Sequence, residues 1–186
     1  MIEFIKGAFE PKDFPPSQKE VVFVGRSNVG KSSMINALYN RRIAYVGKKP
    51  GKTVMLNFFQ CDGGYTACDV PGYGFANRSQ AQIVQFGKMM DAYFTQREAL
   101  KLCVMIIDVR HKPTADDMDM LDYLKENRIP FLIVANKSDK LSNNQLVKAK
   151  KELIGHLNIN DDELLCISAN TGKNIDKLKD LILAAM

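Results

Sequence analysis

Between Val21 and Cys61 the chain has no aspartate and no glutamate. Seven of its 26 lysines and arginines fall in that stretch: Arg26, Lys31, Arg41, Arg42, Lys48, Lys49 and Lys52. The net charge of +5 therefore belongs to one segment, and the rest of the chain is slightly acidic. An even basic coat is excluded, and one local site for an anionic partner is indicated. No apolar run approaches the roughly 20 residues of a membrane span, so no membrane partner is expected. The start, Met1-Ile2-Glu3-Phe4-Ile5-Lys6, carries an early acid and lacks the apolar core of a signal peptide, which makes the cytoplasm the expected location. Cysteine is scarce. Cys61, Cys68, Cys103 and Cys166 form no C-x-x-C pair, and each lies in or beside a strand-like run. Buried free thiols are expected there, rather than zinc ligands or disulfides.

What the basic segment does contain is Gly25-Arg26-Ser27-Asn28-Val29-Gly30-Lys31-Ser32, which fits G-x-x-x-x-G-K-[ST]. The apolar run Val21–Val24 leads into it, and Met34, Ile35, Ala37 and Leu38 supply a helix face behind it. Strand, glycine-rich turn and helix is the order a phosphate cradle needs. Gly25 and Gly30 permit torsions that let successive N–H groups point at a phosphate. The helix N-terminus adds partial positive charge. Lys31 is placed to reach the β- and γ-phosphates, and the Ser32 hydroxyl, followed by Ser33, to ligate Mg²⁺.

The length of 186 residues suits one domain with a sizeable core. Residues 1–20 read as a lead-in in which Phe4–Phe9 could form a short extra strand before Pro11, Pro15 and Pro16 break regular structure. Residues 21–186 read as a single nucleotide-binding domain, without repeats or low-complexity tracts. Strand-like runs are Val21–Val24, Leu56–Cys61, Tyr65–Val70, Leu102–Val109, Phe131–Ala135 and Leu164–Ile167. Asp62-Gly63-Gly64 marks a hairpin, so one edge pair is expected to be antiparallel. Helical stripes fill the gaps: Ile83, Phe86, Met90, Tyr93; Leu146, Ala149, Leu153, Leu157; and Ile175, Leu178, Ile182. Thr114–Asn127 is a further helix, capped by Thr114, with Met118, Leu121 and Leu124 inward. Asp116, Asp117, Asp119 and Asp122 suit its positive end and need no metal. The fold expected is α/β: a P-loop NTPase of the Ras-like G-domain type, with a doubly wound, mostly parallel six-stranded sheet, one antiparallel edge strand and helices on both faces.

In such sheets ligands sit at the carboxyl ends of strands. Asp69-Val70-Pro71-Gly72 follows the third run. Asp69 can hold Mg²⁺ through water, and the Gly72 N–H can meet a γ-phosphate. Asn136-Lys137-Ser138-Asp139 follows the fifth. An Asp139 carboxylate can accept from guanine N1–H and the 2-amino group, neither of which adenine offers. Lys137 can lie along the base, and Asn136 can tie this loop to the phosphate loop. Ser168-Ala169 follows the sixth, with a backbone N–H for guanine O6. Pro50-Gly51-Lys52-Thr53 precedes the second run, where Thr53 can close on Mg²⁺ once a γ-phosphate is present. Each motif is weak alone; in this order they point to GTP. A P-loop kinase or ATPase is the competing enzyme class, and Asp139 argues against it.

These elements resemble the translation-factor-related GTPase superfamily. Gly25–Ser33, Asp69-Val70-Pro71-Gly72-Tyr73-Gly74-Phe75-Ala76 and Asp108-Val109-Arg110-His111-Lys112-Pro113 look more closely like the EngB/YsxC/YihA family of small bacterial GTPases. The resemblance covers essentially the whole chain. It implies a role in assembling the large ribosomal subunit, contacts with its RNA and proteins, and a link to septation in cell division. That family usually has Thr where this chain has Asn136, and Asn is the general GTPase choice.

Many small GTPases orient the attacking water with a Gln directly after Asp-x-x-Gly. Here Tyr73 stands there and cannot do so. Intrinsic turnover is therefore expected at or below the order of 10⁻³ s⁻¹. In K⁺-stimulated GTPases an Asn at the position of Asn28 helps hold a monovalent cation near the β/γ bridge. By resemblance Asn28 is a K⁺ ligand, or else it simply stabilises the loop. Arg41, Arg42, Lys48 and Lys49 are candidates for RNA contact, or a solvated basic loop. A lone His is usually structural, so His111 carries no catalytic role. A monomer is expected. An adaptor whose GTP hydrolysis only resets its state is the alternative to a switch enzyme.

Overall fold

Val21 and Phe23 project from one face of a strand, Val22 and Val24 from the other, and all four are fully buried. A strand that is apolar on both sides needs helices above and below it. The computed structural model, which describes residues 2–43, 55–74 and 79–186, supplies them. The strands are β1 (Ile2–Ala8), β2 (Glu20–Gly25), β3 (Leu56–Cys61), β4 (Tyr65–Asp69), β5 (Leu100–Asp108), β6 (Phe131–Asn136) and β7 (Leu164–Cys166). The helices are α1 (Lys31–Leu38), α2 (Gln80–Gln96), α3 (Ala115–Glu126), α4 (Asn143–Leu157) and α5 (Ile175–Ala185).

The sheet runs in the order β1-β3-β4-β2-β5-β6-β7. β3 is antiparallel to both neighbours, and β4, β2, β5, β6 and β7 are mutually parallel. On one face Val22, Val24, Met105, Ile107 and Ile133 pack against Met90 and Tyr93 of α2, Leu121 and Leu124 of α3, and Leu153 and Leu157 of α4. On the other, Phe23, Val104, Ile106 and Val134 pack against Met34, Ile35 and Leu38 of α1 and Leu178 and Ile182 of α5. This is the expected two-faced α/β fold, with seven strands in place of six. The seventh is β1, formed by the lead-in and laid outside β3, so the antiparallel strand is not the outermost one. Only Ile2 and Ala8 of β1 are buried, and its register shifts between Phe4 and Lys6, which irregularises an exposed edge.

Three helices begin with reciprocal caps. Ser79 pairs with Gln82, Thr114 with Asp117 and Ser142 with Gln145, each side chain bonding the other's backbone N–H. One helical stripe reaches less far than its periodicity suggests. Ile83 is 49% exposed, and the packed part of α2 runs from Met89 to Phe94 with Phe86 half-buried. The C-terminal end of α2 is held by a buried charge. Arg97 donates from Nε to Glu20 Oε1 at 3.0 Å and from Nη2 to Glu20 Oε2 at 2.6 Å. The same guanidinium binds Pro15 O at 2.8 Å, and the Tyr93 hydroxyl completes the shell of Glu20. The lead-in, β2 and α2 are thereby pinned at the edge of the sheet away from the loop that begins at Gly25. All four cysteines are buried and unpaired.

Candidate nucleotide site

The carboxyl ends of β4, β2, β6 and β7 lie along one edge of the sheet, and each carries a motif singled out above. The loop leaving β2 is shaped by two glycines. A methyl group at Gly25 would sit 2.7 Å from the Ile106 carbonyl, too close for any side chain. Gly30 has φ +94°, and a methyl there would lie 2.5 Å from Asn136 Nδ2. Asn28 also has positive φ, at 68°. Left-handed residues alternating with ordinary ones curl the backbone of 25–30 into a concave turn of amides ahead of α1. The Asn28 side chain takes no hydrogen-bond partner among the described residues, so its backbone conformation rather than a side-chain bond shapes the loop here.

Lys31 and Asp69 form an ion pair, with side chains 9% and 13% exposed. Their motifs thus converge, and Ser32 follows Lys31 in the first turn of α1 while Ser33 is exposed. The segment after Asp69 runs beside the loop. Val70 N–H donates to Phe23 O at 3.1 Å, Tyr73 N–H to Gly25 O at 3.3 Å, and Ser27 N–H to Tyr73 O at 3.0 Å. Pro71 and Gly72 are therefore carried past Arg26 and Ser27. The Tyr73 ring turns into the core, where its hydroxyl donates to Asp117 Oδ1 at 3.0 Å. Burial and the neighbouring Asp117 push its pKa well above the ordinary value.

Asn136 joins three segments. Its Nδ2 donates to Val29 O at 3.1 Å and more weakly to Gly30 O at 3.5 Å, and its Oδ1 accepts from Ala169 N–H at 3.1 Å. Asp139 accepts from Ser168 Oγ at 2.6 Å, and that bond, the leading cause, lowers the Asp139 pKa. One carboxylate edge is thus fixed in direction. The Ser168 N–H is committed to Lys173 O at 3.0 Å and the Ala169 N–H to Asn136 Oδ1 at 3.1 Å, so a guanine oxygen would have to share the Ala169 donor with Asn136. Lys137 has φ +70° and donates to Asn28 O at 2.7 Å.

Gly51, Lys52, Thr53, Lys48 and Lys49 lie outside the described residues. Arg42 is exposed, whereas Arg41 gives Nη1 to Ile2 O at 2.9 Å and so has a partly structural position. Two features were missed in the sequence. The Tyr73–Asp117 bond spans 44 positions, beyond any local pattern. Asp108 ends β5, between the strands that carry the two loops, and binds Lys137 at 2.9 Å. Its position after a central strand was a usable signal. Beside it, a cavity of 410 Å³ opens on the β5 side of the loop, lined among others by Arg26, Asn28, Arg110, His111 and Lys137. Among the described residues no cluster of His, Cys, Asp and Glu offers a metal cage, and no helix is long and apolar enough to cross a membrane.

This geometry has known counterparts. Residues 20–137 match the family described as 50S ribosome-binding GTPase. A probable GTP-binding protein EngB from Kosmotoga olearia is 37% identical over 184 residues, covering 98% of this chain and 97% of that protein. Another from Mesoplasma florum is 46% identical over 167 residues, covering 88% and 84%. A solved structure of a probable GTP-binding protein EngB superposes with TM-score 0.74 at 25% identity, covering 89% of this chain and 97% of that one. A variant of Era from Aquifex aeolicus, bound to GDP and aluminium fluoride, gives TM-score 0.70 at 25% identity, covering 90% and 56%. With a family match across most of its length and relatives similar from end to end, the chain belongs to the EngB family of GTP-binding proteins, which are GTPases.

Proposed function

We propose that residues 21–186 act as one GTP-binding domain whose nucleotide lies along the carboxyl edge of β4, β2, β6 and β7. The observation that carries this is Asn136, whose one amide ties the phosphate loop to both guanine-reading segments. In this reading Gly25, Arg26, Ser27, Asn28, Val29, Gly30, Lys31, Ser32 and Ser33 cradle the phosphates. Asp139 reads the base edge, Lys137 lies along its face, and Ser168-Ala169 supply the donor to O6. Gly51, Lys52 and Thr53 complete the γ-phosphate side.

Magnesium fits the donors present. The Ser32 hydroxyl and the Asp69 carboxylate are hard oxygens, and the second is paired with Lys31, the residue that precedes Ser32 in the chain. Bound there with Thr53, the ion would neutralise charge between the β- and γ-phosphates. Lys31 would exchange its carboxylate partner for phosphate oxygens. Tyr73, with its hydroxyl on Asp117, brings no group to an attacking water, which supports slow intrinsic turnover. Asn28, whose side chain takes no hydrogen-bond partner among the described residues, is available as a K⁺ ligand. Equal rates in K⁺, Na⁺ and choline chloride at matched ionic strength would count against it.

We place the protein in the cytoplasm as a monomeric switch in assembly of the large ribosomal subunit, linked to septation as the family resemblance implies. The family description and the basic residues Arg41, Arg42, Lys48 and Lys49 support that partner. The test is co-sedimentation with large subunits in GDP and in a non-hydrolysable GTP analogue. Nucleotide-dependent binding that weakens when those four residues are neutralised is expected; equal binding in both states would overturn the switch. Turnover that subunits do not stimulate would favour the adaptor reading. Displacement of labelled GDP by ATP would favour the kinase or ATPase class.

A further inference from the structure

The stretch Asp108-Val109-Arg110 plays no part in the function proposed above, yet it sits at the centre of the site. Asp108 is the last residue of β5 and lies directly beside Asn136 in the sheet register. Its carboxylate is clamped by Arg110. Oδ1 accepts from Arg110 Nε at 2.9 Å and from the Arg110 backbone N–H at 3.1 Å, and Oδ2 accepts from Arg110 Nη2 at 2.7 Å. This fork leaves the carboxylate no freedom to rotate. The remaining capacity of Oδ2 goes to Lys137 Nζ at 2.9 Å.

The Lys137 ammonium is therefore held between two acceptors, Asp108 Oδ2 and the Asn28 carbonyl at 2.7 Å. Both residues it joins, Asn28 and Lys137, are non-glycine residues at positive φ. Each such conformation costs on the order of 1 kcal/mol and persists only where surrounding contacts fix it. A lysine has a flexible four-carbon stem and loses much entropy when straightened. An ammonium with no fixed partner would leave that stem free to wander over the face where the base is to lie.

We infer that Asp108, oriented by Arg110, is a positioning residue for guanine nucleotide: it anchors the Lys137 ammonium beneath the phosphate loop, so that the stem of Lys137 is pre-set against the base and the loop keeps its left-handed turn at Asn28. This rests on the placement of nucleotide proposed above. Burial alone would raise the Asp108 pKa, but the bonds from Arg110 and Lys137 outweigh it and hold the carboxyl well below its ordinary value. The anchor is thus charged throughout the physiological range. A purely structural ion pair would equally link β5 to the loop, so the test must read the nucleotide through Lys137.

That test is a double-mutant cycle on GDP affinity and dissociation rate, measured by stopped flow with a fluorescent GDP. Asp108→Asn is expected to weaken GDP about tenfold, mostly through faster release. Lys137→Met is expected to weaken it at least as much. In the Lys137→Met background Asp108→Asn is expected to add no more than about twofold, because the group it acts through is gone. Arg110→Ala, an exposed change that spares the core, is expected to show a smaller loss that also vanishes in that background. It stands in if Asp108→Asn folds poorly. Effects that multiply across the cycle would overturn the inference while leaving the site intact. Unchanged GDP affinity in Lys137→Met would overturn both the inference and the placement of the base.

Discussion

The Tyr73 hydroxyl lies 3.0 Å from Asp117 Oδ1, joining the segment after β4 to the first turn of α3. The other oxygen of the same carboxylate accepts the Thr114 N–H at 2.9 Å and the Thr114 hydroxyl at 2.8 Å, which caps the helix. The residue where many GTPases place a catalytic Gln is thus part of the core. Tyr73→Phe removes one donor and leaves a buried carboxylate oxygen short of a partner. We expect a loss of about 1–3 kcal/mol in urea unfolding. We also expect Tyr73→Gln to leave intrinsic turnover no faster in a single-turnover assay, because this position faces α3.

Glu20 is fully buried and is balanced by one guanidinium. Removing one partner of such a pair leaves an uncompensated charge, at a cost of about 3–5 kcal/mol. Arg97→Ala also gives up the packing of the guanidinium over Phe58, 5.5 Å from its ring centre. Both Glu20→Ala and Arg97→Ala are expected to lower the midpoint of thermal unfolding by well over 5 °C. The double change Glu20→Leu with Arg97→Met is expected to recover part of that loss.

The expected response to acid has a definite sign. Asp108 and Asp139 are held below the ordinary carboxylate value of 3.8 in the folded chain. Groups depressed by folding contribute stability that is fully present above the unfolded value and is lost as pH falls through the folded one. Unfolding free energy measured from pH 6 downward is therefore expected to hold to about pH 5 and then fall. Asp108→Asn, with no carboxyl to titrate, is expected to flatten part of that limb. A limb of unchanged slope in this variant would contradict the role given to Arg110 and Lys137.

Gly30→Ala combines two penalties, a left-handed backbone at φ +94° and a methyl 2.5 Å from Asn136 Nδ2. Asn136 has to move, and with it the bonds to Val29 and Ala169. GDP binding is expected to fall at least a hundredfold by filter assay, with a smaller loss for Ser33→Ala, whose side chain is exposed.

The sheet and most of the site were legible because their signals are local. Val21–Val24 and Leu102–Ile107 are continuously apolar, and the motifs at Asp69, Asn136 and Asp139 sit immediately after strand runs. What was not legible depends on distance. The lead-in shows no more than that a short extra strand could form over Phe4–Phe9; with only Ile2 and Ala8 of β1 buried, its alternation is too faint to fix its bounds at Ile2–Ala8 or its place outside β3. Ile83 obeys a helical period, but periodicity names a face and cannot say how far the packing beneath it extends. Tyr73 and Asp117 meet only after the chain has passed through α2 and β5. Asp108 acquires its meaning from the register that sets β5 beside β6.

In the function proposed here, separate strand-end segments converge on one guanine nucleotide, with Asp139 reading the base. Isothermal titration of the pure chain and of Asp139→Asn with GDP and with XDP tests it most directly. We expect tight binding of GDP and weak binding of XDP by the natural chain. The reverse preference is expected in the variant, whose amide offers one donor and one acceptor. No heat with GDP in the natural chain, or an unchanged preference in the variant, would contradict it.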